Sequence, residues 1–275
     1  MPKESDRGRV VLITGASSGI GLSCASRLVA EGYRVYGTSR KPQSQTLPFT
    51  MLTMDVTDEQ SVVRGIDAIL EREGHLDVVV NNAGAGLAGA IENTSLDEAK
   101  AQFDVNFFGT LNVCRAVLPG MRRQGSGYIV NVGSIGGLIA IPYQGMYSAS
   151  KFALEGFTEA LRLEARQWNI KVTLIEPGDH KTAFTQNRKW TAASSQDVIY
   201  RSAAEAAINR MAQDEQNGPD PARVATLLHR VVTTPNPRLR YTVGPASQRA
   251  AIWLKRFLPN SLLEYGIRRY YRLDR

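Results

Sequence analysis

Tyr147 and Lys151 stand four residues apart in GMYSASKFAL (residues 145–154), a stretch otherwise made of small or apolar residues. On a helix the two side chains share one face, one turn apart. A phenol with its reference pKa near 10 is a poor base at neutral pH, and a fixed ammonium beside it favours the phenolate. Such a pair is suited to giving a proton to a ketone oxygen, or taking one from an alcohol in reverse. Ser134 closes the apolar run GYIVNVGS, at the carboxyl end of a strand, where open parallel sheets bind ligands. It lacks the setting of a hydrolase nucleophile, because the glycine required two residues earlier is Val132. His75, His180 and His229 are scattered and offer no metal-ligand spacing, so no metal is expected.

The elements that must position these groups begin with VVLITGASSGIGLSCASRLVAEG, a strand, a glycine turn and a helix. Gly15 permits the tight turn, while Gly19 and Gly21, flanking Ile20, let backbone and helix approach a pyrophosphate. Ser17 and Ser18 add donors. A dinucleotide site selecting NAD would carry an acidic residue at the end of the second strand. That strand instead ends VYGTSRKP, with Ser39, Arg40 and Lys41. A guanidinium grips a 2′-phosphate that a carboxylate would repel. NADP(H) is therefore expected, with Arg40 as main discriminator and Ser18 as helper.

Six apolar, β-branched runs alternate with helix-length amphipathic segments: RVVLITG, YRVYGTS, FTMLTMDV, LDVVVNNAG, GYIVNVGS and KVTLIEPG. Each suits a strand buried on both faces, and the alternation implies right-handed crossovers in one doubly wound parallel sheet. Ser95 and Glu98 form a capping box before a helix running to about residue 118. No linker interrupts the chain, so residues 1–275 read as one domain. Residues 181–218 hold no strand-like run and read as a helical insertion that covers the substrate and closes on it. RLRYTVG resembles a last strand, and Ser261 with Glu264 marks a helix restart after Pro259 in a helical tail at about 248–275.

Net charge is +7, yet residues 249–275 carry seven basic residues against two acidic ones, so five of those charges belong to the tail. A nearly balanced body argues against a nucleic-acid binder, which needs a basic face across the fold. No apolar run approaches the roughly 20 residues of a membrane span. The charged amino terminus lacks a signal-peptide core, so the chain reads as cytoplasmic. Cys24 and Cys114 read as buried thiols.

Thr14 to Gly21 match every fixed position of Thr-Gly-x-x-x-Gly-x-Gly, and Tyr147 with Lys151 match Tyr-x-x-x-Lys. In these motifs the chain resembles the short-chain dehydrogenase/reductase family, over about residues 9–184. The resemblance implies a Rossmann-type sheet and a nicotinamide cofactor whose positive oxidised ring helps lower the Tyr147 pKa. It implies that Lys151 also binds the nicotinamide ribose, that Ser134 bonds the substrate oxygen, and that Asn106 supports a proton relay through water. By the same resemblance Asp55 and Val56 sit beside the adenine, and Asn82, Ala83 and Gly84 line the adenosine side. Pro177, Gly178 and Thr182 lie near the carboxamide. GSIGGLIAIP and YSASKFALEGFTEAL are similar to the branch holding 17-beta-hydroxysteroid and retinol dehydrogenases and bacterial ketone reductases.

For the substrate, Ser134, Tyr143 and Tyr147 are the expected contacts, with Leu87, Ile135, Leu138, Phe184 and Trp190 as apolar walls. A hydrophobic ketone or secondary alcohol follows. His180 reads as surface or structural. The alternative to an enzyme is an NADP(H)-sensing binding protein without turnover, and a sugar-nucleotide epimerase is opposed by the loop spacing. The resemblance suggests a homodimer or tetramer built on helices at 96–118 and 148–167. The tail is expected to pack on the body, ahead of contact with an anionic membrane surface or a subunit interface.

Overall fold

The structure, a computed structural model, describes residues 8–41 and 46–273, so the first seven residues and the last two of the tail lie outside the described residues. All seven expected strands form. They are β1 (Val10–Ile13), β2 (Arg34–Ser39), β3 (Thr50–Thr53), β4 (Val78–Asn81), β6 (Gly127–Val132), β7 (Ile170–Pro177) and β9 (Arg240–Val243). They make one parallel sheet in the order β3-β2-β1-β4-β6-β7-β9. The order reverses between β1 and β4, which opens a crevice at their carboxyl ends. A small second pairing, β5 (Leu87–Ala88) with β8 (Lys189–Trp190), was not legible in the sequence. It corrects the expectation of a strand-free insertion, and two residues are too few to leave a period.

The helices are α1 (Gly19–Ala30), α2 (Glu59–Glu73), α3 (Leu96–Phe103), α4 (Gly109–Gln124), α5 (Gly145–Ala165), α6 (Phe184–Asn187), α7 (Arg201–Gln216), α8 (Ala222–Val232), α9 (Ala246–Lys255) and α10 (Asn260–Tyr271). Alternate strand residues feed opposite layers. Val11, Ile13, Val78 and Val80 pack with α1 and α8, whereas Val10, Leu12 and Val79 pack with α2, α4 and α5. That period of two, buried on both sides, is why these runs are apolar throughout.

Asp58 caps α2 by accepting from Gln60 and Ser61, and the Ser95–Glu98 capping box is formed at α3. The helix expected over 96–118 has two departures. A π-helical turn, Asp104–Phe108, separates α3 from α4, and α4 runs through Pro119 to Gln124. Val113, Val117 and Met121 bury one face across the proline, and that packing holds the helix despite the missing N–H. Ser261 does not cap α10: the N-cap position is Pro259, with no side-chain cap bond. Cys24 and Cys114 are buried and unbridged, and burial pushes each thiol up to about 12.

Candidate active site

The turn after β1 is built for close approach. Gly15 has φ +66°, and a Cβ there would lie 2.9 Å from the Ala83 Cα. A Cβ on Gly21 would fall 2.3 Å from the Gly15 carbonyl oxygen and 2.5 Å from Asn82 Nδ2. Thr14 Oγ1 accepts from the N–H groups of Asn82 and Ala83, both at 2.9 Å. Asn82 Nδ2 donates to the carbonyls of Thr14 (2.9 Å) and Gly15 (3.1 Å). The loop is therefore clamped to the end of β4 by the Asn82 side chain, a role beyond the backbone lining expected of it. Ser18 precedes α1 without capping it through its side chain, so the first turn of α1 keeps its donors for an anion.

One cavity of about 1330 Å³ joins this loop to the tyrosine–lysine pair. Gly15, Ser17, Ser18, Gly19, Ile20, Gly21, Arg40, Asp55, Val56, Asn82, Ala83, Gly84, Pro177, Gly178 and Thr182 all face it, together with Ser134, Tyr147 and Lys151. Ser39, Arg40 and Lys41, at the end of β2, line the cavity. The residues fit a dinucleotide: the glycine turn and the first turn of α1, which no side chain caps, face the same cavity as Ser134, Tyr147 and Lys151. A Cβ on Gly84 would point between Asn106 Oδ1 (3.4 Å) and Lys151 Nζ (3.9 Å).

The reaction centre sits on α5 and the end of β6. Tyr147 is buried, its ring 5.8 Å from that of Phe184, and burial pushes its phenol up to about 12 against the lowering effect of a hydrogen bond with Ser134. The expected lowering, by Lys151 together with an oxidised nicotinamide, concerns the loaded site. Lys151 donates to the Val132 carbonyl (2.9 Å), and burial brings its ammonium down to about 8. In the protein alone, loss of water outweighs the neighbouring charge. Ser134 Oγ also accepts from the Gly136 N–H at 3.0 Å.

Asn106 does not face the cavity. It is buried in the π turn, accepts from the Ala85 N–H (2.8 Å) and donates to the Ala85 carbonyl (3.1 Å) and Ser150 Oγ (3.0 Å). Ser150 in turn donates to the Tyr147 carbonyl at 2.7 Å. The Asn106 side chain thus couples the segment after β4 to the catalytic helix. Deeper down, Asn81 donates to Asn131 and Asn131 to Thr158, both at 2.9 Å, fastening β4, β6 and α5 together.

Leu87, Ile135, Phe184 and Trp190 line the cavity as expected, but Tyr143 and Leu138 do not. Tyr143 adopts φ +58°, packs beside Ile141 against Ala88, Ile208 and Met211, and its carbonyl accepts from Gly89. Leu138 follows a helical turn in which Ile135 and Ile139 share the inner face, and its carbonyl takes the Lys255 ammonium. The insertion covers the cavity with Phe184, Trp190, Met211 and Glu215.

Several lining groups escaped sequence reasoning. Gln144, one turn before Tyr147, is 2% exposed, and its Nε2 has no partner among the described residues. His180, read as surface or structural, lines the cavity at 4% exposure: Nδ1 lies 2.9 Å from the Gly178 carbonyl, and Nε2 has no partner. Asp179 accepts from Gln248 of α9, and burial lifts its carboxyl to about 6. Glu215 is held by Arg188 and Thr185. The least foreseen wall is the tail, since Ile252, Leu258, Leu263, Ile267 and Tyr271 face the cavity. Alternating inward and outward positions along it carried the signal, but nothing local says which body a short amphipathic helix will meet.

Comparison with known proteins agrees with this geometry. Residues 9–192 match the family described as short chain dehydrogenase. The chain is 42% identical over 263 residues to a 3-ketodihydrosphingosine reductase of Bacteroides thetaiotaomicron, covering 96% of this chain and 98% of that protein. It is 42% identical over 192 residues to human retinol dehydrogenase 8, covering 64% of this chain and 60% of that one. A crystal structure of a short-chain dehydrogenase from Streptomyces avermitilis superposes with a TM-score of 0.80 at 29% identity, covering 97% of both chains.

Proposed function

The chain belongs to the short-chain dehydrogenase/reductase family, in its retinol- and hydroxysteroid-dehydrogenase-like branch, and from that premise we propose an NADPH-dependent reductase of ketones carried on long apolar molecules. The observation that carries this reading is the position of the Tyr147 phenol. It is hydrogen-bonded to Ser134 and lies in one cavity between a glycine-cradled helix terminus and a wall of aliphatic side chains. When bound along the glycine loop, the dinucleotide would supply the hydride. Gly15 to Gly21 and the first turn of α1 hold its pyrophosphate, and Arg40 takes the 2′-phosphate. Lys151, anchored on the Val132 carbonyl, holds the ribose.

Ser134 orients the substrate oxygen. Tyr147 gives its proton to that oxygen as negative charge develops. A phenol pushed up to about 12 by burial stays protonated in the neutral range and is ready to give its proton to a ketone. Gln144 directs its unpartnered amide toward a second polar atom of the substrate, since a buried donor left unmade costs stability. The name of the Bacteroides relative points the same way, toward the ketone of a lipid-like molecule. A homodimer or tetramer built on α4 and α5 accompanies this reading. Leu163 and Trp168, at the end of α5, stay exposed on the single chain.

The test is consumption of NADPH and NADH, followed separately at the nicotinamide absorbance band, with ketones of increasing chain length. Selective NADPH turnover that improves with chain length supports the reading. NADPH binding without turnover of any ketone would replace it with the cofactor sensor.

A further inference from the structure

Neither α9 nor α10 contains a buried residue, although both carry large apolar side chains. Their inner positions, Ile252, Leu263 and Ile267 among them, face the cavity. The opposite faces are aromatic and basic. Arg249, Trp253, Arg256 and Phe257 follow the four-, seven- and eight-residue spacing of one helical stripe, and the Trp253 and Phe257 rings lie 4.8 Å apart between centroids, tilted by 50°. Tyr265 and Arg269 repeat the arrangement on α10, and Arg272 follows at its left-handed carboxyl cap. Trp253 is 60% exposed, Phe257 67% and Tyr265 60%, and the four arginines are exposed as well. Glu264 is the one acidic residue on either helix.

We propose that these outer faces dock the protein on an anionic lipid bilayer, holding the cavity's tail-built wall against the membrane. Aromatic rings at the acyl boundary with arginines among the headgroups are what an interfacial helix requires. Among the described residues no helix is long and apolar enough to cross a membrane, so the attachment is to one surface. Charge selects the occupant. The tail holds five of the seven net positive charges, which attract anionic headgroups. A second copy docked face to face would set the same arginines against themselves. The helices that touch lipid outside also line the cavity inside, so an apolar substrate has a path that avoids water.

Sedimentation of the full chain with vesicles tests this without any substrate, and so independently of the proposed activity. One set is phosphatidylcholine alone and the other includes phosphatidylglycerol. Binding to the anionic set, at least about tenfold stronger than to the neutral set and weakened by salt, is expected. Arg269→Glu with Arg272→Glu should lose about fivefold or more per residue. Trp253→Ser with Phe257→Ser should lose binding while ketone turnover with a short water-soluble substrate is unchanged. Equal partition to both vesicle sets, or variants that partition like the wild type, would overturn the proposal. So would a concentration-dependent dimer abolished by the aromatic pair, which would assign the face to a second copy.

Discussion

Gly21 and Ile267 face the same cavity from opposite ends of the chain, and they got there by different physics. Around Gly21 the backbone is clamped: a Cβ has no room, and Thr14 and Asn82 tie the turn to the end of β4. Around Ile267 there is no clamp of that kind. α10 has no buried residue and is held by contacts such as Tyr270 with Asp214 and with the Arg210 guanidinium, 4.7 Å from its ring. In the proposed function the first region holds the dinucleotide and is fixed atom by atom, while the second meets the substrate's apolar part and is held by fewer contacts.

The contrast can be broken in a graded way. Tyr147→Phe keeps the ring against Phe184 and removes the proton donor, so turnover should fall about a thousandfold with dinucleotide affinity unchanged by titration. Gly21→Ala should weaken dinucleotide binding about fivefold to a hundredfold whatever the substrate, because the methyl meets backbone that cannot move. Arg40→Ala should raise the KM for NADPH about tenfold and leave that for NADH alone. Ile267→Ala belongs to the looser region and should change KM severalfold for long ketones while sparing short ones. An equal effect on both would erase the distinction drawn between the two regions.

Two pH effects sharpen it further. With Tyr147 near 12, reduction should be flat through the neutral range, whereas alcohol oxidation, which needs the phenolate, should climb as pH rises. Lys151 is depressed from 10.5 to about 8, so the folded chain releases a proton that the unfolded chain retains over that interval. Stability should therefore rise between those values, and Lys151→Met should unfold at higher temperature at pH 7, by on the order of 2–3 kcal/mol, while losing activity. Thermal unfolding at neutral and alkaline pH checks both.

The glycine loop, Ser134, Tyr147 and Lys151, which share one cavity, were legible because their pattern is local. A glycine spacing, a strand end or a four-residue helical interval needs no partner to be recognised. Asn106 shows the limit: its bonds to Ala85 and Ser150 depend on a π turn that no pattern announced. Tyr143 and Leu138 were misassigned to the cavity because a left-handed residue and a helical turn reverse the side that sequence order suggests.

The sequence by itself determined the seven-stranded parallel order of chemistry: phosphate loop, basic β2 end, serine, tyrosine and lysine. Periodicity and turn residues act within a few residues of one another, so a string records them. Tertiary structure alone decided the protonation of Tyr147 and Lys151, since burial, rather than their mutual spacing, sets the cost of charge. It also decided that residues some 120 positions beyond the tyrosine close the cavity, with Ile267 inside and Tyr265 outside. Which side of a helix meets the body is a property of what the rest of the chain presents to it.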